Sequence, residues 1–451
     1  MAKSSSDSEN LVFYALMIGL MILFAIWFKQ MPIETGRQQT GVIIFSLGFV
    51  MLAGHVLARI LKQAKLPMIS GYIFAGLLAG PYVTGFLSVE MVERFRLIDD
   101  LALSFIALNA GGELRLAGLK KQGKSIILNI VFLTLIVFSL ILLFMIMAGG
   151  FFKVTADLDP TSLLVLGILI GVICVARSPA SAIAIINECR ARGPFTDMVL
   201  AVAIAKDVLI IILFTSAMAI SRSLLAGDGS LELGALSGLI IEIVASIIIG
   251  GIIGKGISVY MDRVGYDFLF FLLFIAFAIA RLSMWLNGFM EARFAVSLHL
   301  EPLLICMTAG FFIQNFSRFG SYFIESLERV SLPIYVLFFS LAGASLNLSS
   351  LALCWPLALC IVGVRMMGLF AGSWLAGTLS NDPPVFNKNA WMTYITQAGV
   401  SIGLAQLAAK QFPEIGVHIN TIALSIIAIS QFIGPITFKA ALTAVGESDK
   451  R

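Results

Sequence analysis

Asp207 is a carboxylate in a stretch that otherwise reads as membrane core. It lies in Ala203-Ile204-Ala205-Lys206-Asp207-Val208-Leu209, about midway along a long apolar run. A charge at that depth in hydrocarbon costs roughly 3 kcal/mol or more, so an acid there marks a functional position by default. Protonation neutralises it and a bound cation compensates it, so proton and cation compete for one site. That competition is a sufficient physical basis for exchange. Lys206 is its neighbour, and consecutive helical side chains point about 100° apart, so the two cannot pair face to face. Arg177 and Arg365 lie at similar depth in other runs. Arg365 is a natural partner for Asp207 or for the negative end of a helix. Pairing that serves only packing is the plainer reading of both arginines.

Two interruptions give those charges something to act on. The run that holds Arg177 is broken at Ala176-Arg177-Ser178-Pro179-Ala180-Ser181. Pro179 removes a backbone donor and clashes with the preceding turn, and Ser178 can cap the helix that restarts. Thr393-Tyr394-Ile395-Thr396-Gln397-Ala398-Gly399-Val400-Ser401 is the expected counterpart, with polar side chains and Gly399 at mid-depth. In lipid a break survives only where it is buried in protein or lines a watery cavity. Two breaks facing each other would bring opposed helix ends to one point. Ser178, Thr396, Gln397 and freed carbonyls would then offer the oxygen ligands a hard monovalent cation prefers, with Asp207 as the charged ligand. A kinked helix packed by small residues is the simpler alternative. His55, Glu242 and Asn109 read as interhelical bonds, while Glu113 and Glu301 lie near helix ends within reach of water. No nucleophile–base pair, phosphate-binding loop, HExxH or CxxC pattern is present, so no enzyme and no cofactor are expected. The five cysteines, Cys174, Cys189, Cys306, Cys354 and Cys360, stand singly in apolar runs and read as buried thiols.

Composition says what must position these groups. Of 451 residues, 59% are hydrophobic and 12% charged, where a soluble domain carries about a quarter charged. With a mean hydropathy of +1.00, the solvent must be lipid. A net charge of +4 spread over short loops suggests no nucleic-acid partner. Apolar runs long enough to cross about 30 Å of hydrocarbon recur near 11–28, 41–60, 66–82, 97–114, 124–149, 161–187, 194–221, 232–259, 265–287, 296–314, 331–346, 350–378, 390–409 and 419–443. The runs at 66–82 and 331–346 are short, so thirteen or fourteen transmembrane helices are expected. The first run lacks a small-residue cleavage site and reads as a retained helix. With the N-terminus inside, inner loops hold most of the cations, among them Arg59, Lys62, Lys65, Arg115, Lys120, Arg190, Arg192, Lys255, Arg263, Arg318, Lys388 and Lys439. That bias places both termini in the cytoplasm and the chain in the cell inner membrane. The last run ends near residue 443, so no soluble regulatory domain is expected.

The chain also matches itself. Ala110-Gly111 through Leu114, Leu116 and Leu119 recurs as Ala342-Gly343 through Leu346, Leu348 and Leu351, an offset of 232. Pro67 with Ala75-Gly76 recurs as Pro302 with Ala309-Gly310, offset by about 234. Two motifs at nearly one offset point to duplication. The expected plan is an extra helix in 1–40, a first repeat at 41–221, a linker helix in 222–264 and a second repeat at 265–445. Equivalent helices then cross in opposite directions, the inverted-repeat plan of secondary transporters.

Ser70-Gly71-Tyr72 to Gly80-Pro81, the Ser178-Pro179 break, Gly193-Pro194-Phe195-Thr196 leading into Lys206-Asp207, and Thr396-Gln397-Ala398-Gly399-Val400-Ser401 resemble the monovalent cation:proton antiporter superfamily, closest to its Kef-like branch. The resemblance runs over about residues 40–445; its glycine-rich pieces are moderately specific and its broken helix followed by an aspartate much more so. It implies a homodimer whose subunits each have a dimerisation domain and a core domain. The core would move like an elevator, carrying Na⁺ or K⁺ against H⁺ at Asp207, with a basic residue at the Arg365 position. An additional helix at the start is similar to the sodium/proton exchanger B subfamily. The chain departs from the pattern at Lys206, usually Asn, Asp or Gln, and at Arg177, usually small or polar. Three bases then surround one acid, which in low dielectric disfavours a bare cation. Lys206 and Arg177 with helix N-termini could instead hold an anion such as bicarbonate or a small carboxylate. A non-transporting sensor or subunit on the same scaffold is the third class.

Overall fold

The structure, a computed structural model, describes residue 19 and residues 37–448, apart from 117–119, 121, 227–232, 265–267, 295–299 and 301. The helix expected at 11–28 (residue 19 excepted) and Glu301 lie outside the described residues. Every described regular element is a helix. In chain order these are α1 Arg37–Gln63, α2 Met68–Ala79, α3 Val89–Arg94, α4 Arg96–Glu113, α5 Gly123–Ala148, α6 Pro160–Val175, α7 Pro179–Cys189, α8 Pro194–Ala226, α9 Leu233–Arg263, α10 Phe268–Phe294, α11 Pro302–Phe316, α12 Gly320–Ala344, α13 Leu348–Ser380, α14 Pro384–Asn389, α15 Gly399–Gln411 and α16 Pro413–Val445. Two short 3₁₀ turns, Gly149–Phe151 and Ala390–Thr393, complete them.

Among the described residues eight spans are long and apolar enough to cross a membrane, and three shorter apolar helices accompany them. The chain is a multi-pass membrane protein. The run at 331–346 is the apolar end of the 25-residue α12, whose first half carries the exposed Glu325–Arg329 pair at 2.8 Å and so fell below the hydropathy of a span. The run at 66–82 holds a helix of only 12 residues, because Gly80-Pro81 stops it. Four cysteines are buried as expected. Cys360 is not: it lies on the outward face of α13, where a thiol, a small and weakly polar group, needs no partner.

The fold resolves into two compact units. Among the described residues, one comprises those from 37–102 and 331–347, the other those from 103–330 and 348–448. In the first, Val50, Ala79, Leu87, Phe95, Leu341 and Ala344 form a buried apolar cluster, and Phe49 and Phe86, tilted towards each other with ring centroids 4.5 Å apart, pack against it. Here α2 and α12 touch backbone to backbone. A Cβ on Gly76 would strike the Ser340 carbonyl, and one on Gly343 would strike the Ile73 carbonyl. In the second unit α4 and α11 meet in the same way. A Cβ on Gly310 would strike the Leu108 carbonyl, and one on Gly111 the Met307 carbonyl. All four positions therefore demand glycine for close approach rather than for dihedral freedom. Also in this unit, Gly368 and Gly372 of α13 lie 3.2 and 3.1 Å, measured from where a Cβ would stand, from the Cα atoms of Val137 and Leu133 on α5. This seats α13, which carries Arg365, against α5.

Candidate functional site

The first break forms because α6 is started and stopped by side-chain chemistry. Asp159 caps it, accepting from the amides of Thr161 and Ser162 at 3.0 and 3.1 Å, and Pro160 fills its first position. The helix ends at Val175. Ala176 and Ser178 are extended, and Ser178 Oγ accepts from the Ser181 amide at 3.1 Å to open α7 with Pro179 at its first position. The second break has a different entry. A 3₁₀ turn at Ala390–Thr393 leads into Tyr394–Ala398, which is not helical, and α15 begins at Gly399.

The two breaks cross and bond directly. The Ser178 amide donates to the Thr396 carbonyl at 3.0 Å. Gln397 Nε2 donates to the Ile173 carbonyl at 2.8 Å, and Ser430 Oγ of α16 donates to Gln397 Oε1 at 3.3 Å. Gly434 lets α16 close over this point: a Cβ there would lie 2.9 Å from the Thr396 Cα. Gln397 therefore ties one break to the other through its amide nitrogen.

Arg365 answers the question left by the sequence about its partner. Its Nε donates to the Cys174 carbonyl at 2.7 Å and its Nη1 to the Ile395 carbonyl at 2.7 Å. Its Nη2 reaches the carbonyls of Ala176 at 3.3 Å and Tyr394 at 3.2 Å. These are the carbonyls that each interrupted helix leaves without an intrahelical donor. One guanidinium, 0% exposed, thus satisfies both C-terminal ends and offsets their partial negative charge. A planar five-donor fork can do this; a point charge cannot.

Arg177, 1% exposed, is held differently. Its Nη1 donates to the Val199 carbonyl of α8 at 3.3 Å, and its guanidinium lies 4.9 Å from the Tyr394 ring centroid. Its Nε and Nη2, and Thr396 Oγ1, have no hydrogen-bond partner among the described residues. On α8, Val199 and Lys206 are seven residues apart and so share a face. Lys206 is 2% exposed, whereas Asp207, turned about 100° away, is half-buried. A cavity of about 450 Å³ flanks a different strip of α8, lined by Ala201, Ile204 and Ala205 with Leu304, Met307 and Thr308 of α11. The sequence-derived set thus separates into a crossing built by Ser178, Pro179, Thr396, Gln397, Gly399, Arg365 and Arg177, with Lys206 and Asp207 on α8 beside it. No cluster of three or more metal-ligating side chains occurs among the described residues.

Sequence reasoning missed Ser430, Gly434 and Glu447. Glu447 Oε1 accepts from the Phe195 amide at 2.8 Å, and its Oε2 from the amide and hydroxyl of Thr196, both at 2.7 Å. It caps the helix bearing Asp207 from the far end of the chain. Gly193, at φ +154°, leaves room for the carboxylate where a side chain would collide. The Gly193-Pro194 pair signalled a helix start, but nothing local named its cap. Glu447→Ala should raise amide exchange at Phe195 and Thr196 about tenfold, since a lost cap costs about 1 kcal/mol or somewhat more. Unchanged exchange there, read by hydrogen–deuterium mass spectrometry, would show that solvent caps α8 equally well.

Comparison with known proteins follows the same lines. The family described as sodium/hydrogen exchanger, transmembrane, matches residues 41–444. The chain is 23% identical over 423 residues to the K⁺/H⁺ antiporter subunit KhtU of Bacillus subtilis (strain 168), covering 88% of this chain and 93% of that one. It is 29% identical over 144 residues, 32% of each chain, to Na⁺/H⁺ antiporter 1 of Methanocaldococcus jannaschii. Two solved structures of the sodium proton antiporter MjNhaP1 from that organism superpose on it at 19% identity. One, determined at pH 8, gives a TM-score of 0.60 over 90% of this chain and 95% of that one; the other gives 0.70 over 92% and 100%. The architecture is therefore that of the MjNhaP1 structures, and the chain belongs to the sodium/hydrogen exchanger transmembrane family.

Proposed function

We propose that the protein exchanges a monovalent cation, Na⁺ or K⁺, for H⁺ across the membrane, with Asp207 taking cation and proton in turn. The observation that carries this is the crossing itself: two interrupted helices bonded to each other and neutralised at both C-terminal ends by Arg365, beside a half-buried carboxylate. With the C-terminal ends already satisfied, Thr396 Oγ1 remains as an oxygen free to bind, and Ser178 and Gln397 fix the backbone around it. A cavity of about 450 Å³ runs along the Ala201–Ala205 strip of α8, the helix that bears Asp207. Family membership and the antiporter names of its relatives agree with this reading.

The glycine contacts support the duplicated plan. Shifting Gly76 and Ser340 by the sequence offsets gives Gly310 and Leu108, and shifting Gly111 and Met307 gives Gly343 and Ile73. These are the pairs that collide in the same manner. We take the repeats at 41–221 and 265–445 to be inverted, the protein to be a homodimer with cytoplasmic termini in the cell inner membrane, and its core to travel as an elevator. An anion reading draws on Arg177 Nε and Nη2 being unpartnered beside Lys206.

Proton flux in proteoliposomes under Na⁺, K⁺ and Li⁺ gradients tests the proposal. Wild type should respond to at least one cation, and Asp207→Asn should abolish the response. Well-folded wild type that responds to none, but takes up bicarbonate or a small carboxylate, would replace the cation reading with the anion one.

A further inference from the structure

We propose that the second unit encloses a hydrated proton route from Asp382 to the Tyr394 hydroxyl at the crossing, separate from the cavity beside α8; this rests on the exchange reading above. Asp382 follows the left-handed Asn381 (φ 60°) just beyond α13. Its Oδ2 accepts from Ser125 Oγ at 2.5 Å and from Ser380 Oγ at 2.8 Å. One turn deeper on α5, Asn129 Nδ2 donates to the Ser125 carbonyl at 3.0 Å and lies 3.4 Å from its Oγ. Met198 of α8 adjoins both, its sulfur 3.0 Å from Ser125 Oγ and 3.9 Å from Asn129 Nδ2. Val199, the next residue, gives its carbonyl to Arg177, which lies over Tyr394. The Tyr394 hydroxyl is within electrostatic reach of both Arg177 and Asp382.

Polar groups thus line the way from the α13–α14 turn to the breaks, joined through Met198 and Val199, and five of their atoms lack protein partners: Asn129 Oδ1, Arg177 Nε and Nη2, Tyr394 Oη and Thr396 Oγ1. Each residue is at most 1% exposed. Leaving such atoms unbonded would cost about 1–3 kcal/mol apiece, and buried polar atoms that lack protein partners bond to internal water. Water along this file joins a carboxylate to a phenol, two groups that exchange protons. Arg177 repels Na⁺, K⁺ and a proton excess alike, so what passes it is a proton deficit. Tyr394 passes its hydroxyl proton through water to the Asp382 carboxylate as its oxygen takes a proton from the site, so no charged phenolate is left in the buried pocket. One O–H bond breaks and one forms at each step, and no other reactant is needed.

Two measurements decide it. Radiolytic hydroxyl-radical footprinting reports water beside buried side chains. Met198, 1% exposed, should be oxidised at least about tenfold faster than Met145, 0% exposed and packed among apolar groups of α5 and α6. Equal rates overturn the hydrated route whether or not vesicles exchange ions. Tyr394→Phe, which removes only the hydroxyl, and Asp382→Asn should each lower the maximal exchange rate about tenfold while leaving the cation KM within twofold of wild type. Full rates in both variants, or KM moving in step with rate, overturn the proton role. Wild type inert towards every cation overturns the exchange reading together with the proton traffic, and the footprint still settles the water.

Discussion

Arg365→Met should yield a protein with neither exchange activity nor a stable core. Methionine matches the length of the arginine stem but supplies no donor. The carbonyls of Cys174, Ala176, Tyr394 and Ile395 would lose their common partner at a point 0% exposed. A hydrogen bond to a charged group contributes about 1.5–3 kcal/mol, and an orphaned buried acceptor costs a similar amount. Even with partial relaxation the loss should exceed about 4 kcal/mol, which is a large part of what a folded protein has to spare. Arg365→Lys separates charge from geometry. It keeps the positive charge but reaches fewer carbonyls, so it should fold with a lowered melting temperature and markedly reduced flux. Melting followed by fluorescence-detected size exclusion, beside proteoliposome flux, makes the comparison. An Arg365→Met protein with wild-type melting would mean that the two breaks hold together without the guanidinium.

Lys206→Asn should strengthen cation binding. Its ammonium shares a buried region with Arg177 and Arg365, opposite in sign to the one acid that neighbours it. Removing a unit charge on the order of 8 Å from a bound cation relieves about 2 kcal/mol at an effective dielectric of 20. Since 1.4 kcal/mol corresponds to a factor of ten, the cation KM should fall roughly tenfold to thirtyfold. Exchange is retained or improved, because Asp207 still alternates between proton and cation. Under the anion reading the same substitution deletes a ligand, and uptake disappears. KM from flux at graded cation concentrations therefore tells the two apart in a single series.

Most of the crossing could be read from residue types because its causes are local. Ser178-Pro179 breaks and restarts a helix through a missing donor and a cap, and both act within four residues. Gly399 and the polar residues before it signal the second break for the same reason. Asp207 stood out because a charge in an apolar run needs an explanation. What the sequence left open is tertiary. Arg365 had two possible partners, and the choice of carbonyls over Asp207 depends on how α13 lies against both breaks. Glu447 caps a helix 252 residues away, and Asp382 reaches Ser125 across 257; neither spacing leaves a periodic trace. The helix expected as one run at 331–346 was underestimated because its polar first half looks like loop until packing shows otherwise. The glycine motifs were legible as repeats, yet only the contacts reveal that each glycine serves the approach of a neighbouring backbone.

Those glycines also restrict where the molecule can bend. Where two helices come so near that a carbonyl oxygen fills the space of an absent side chain, Cα–H groups point at that oxygen and add weak attraction along the line of contact. There is no side-chain layer to shear, so sliding one helix past the other would drive backbone into backbone within a fraction of a turn. The α2–α12 seam and the α4–α11 seam each weld two helices into one rigid plank. Whatever rearrangement accompanies turnover must therefore carry each plank whole and take up its strain in the short connections at the ends.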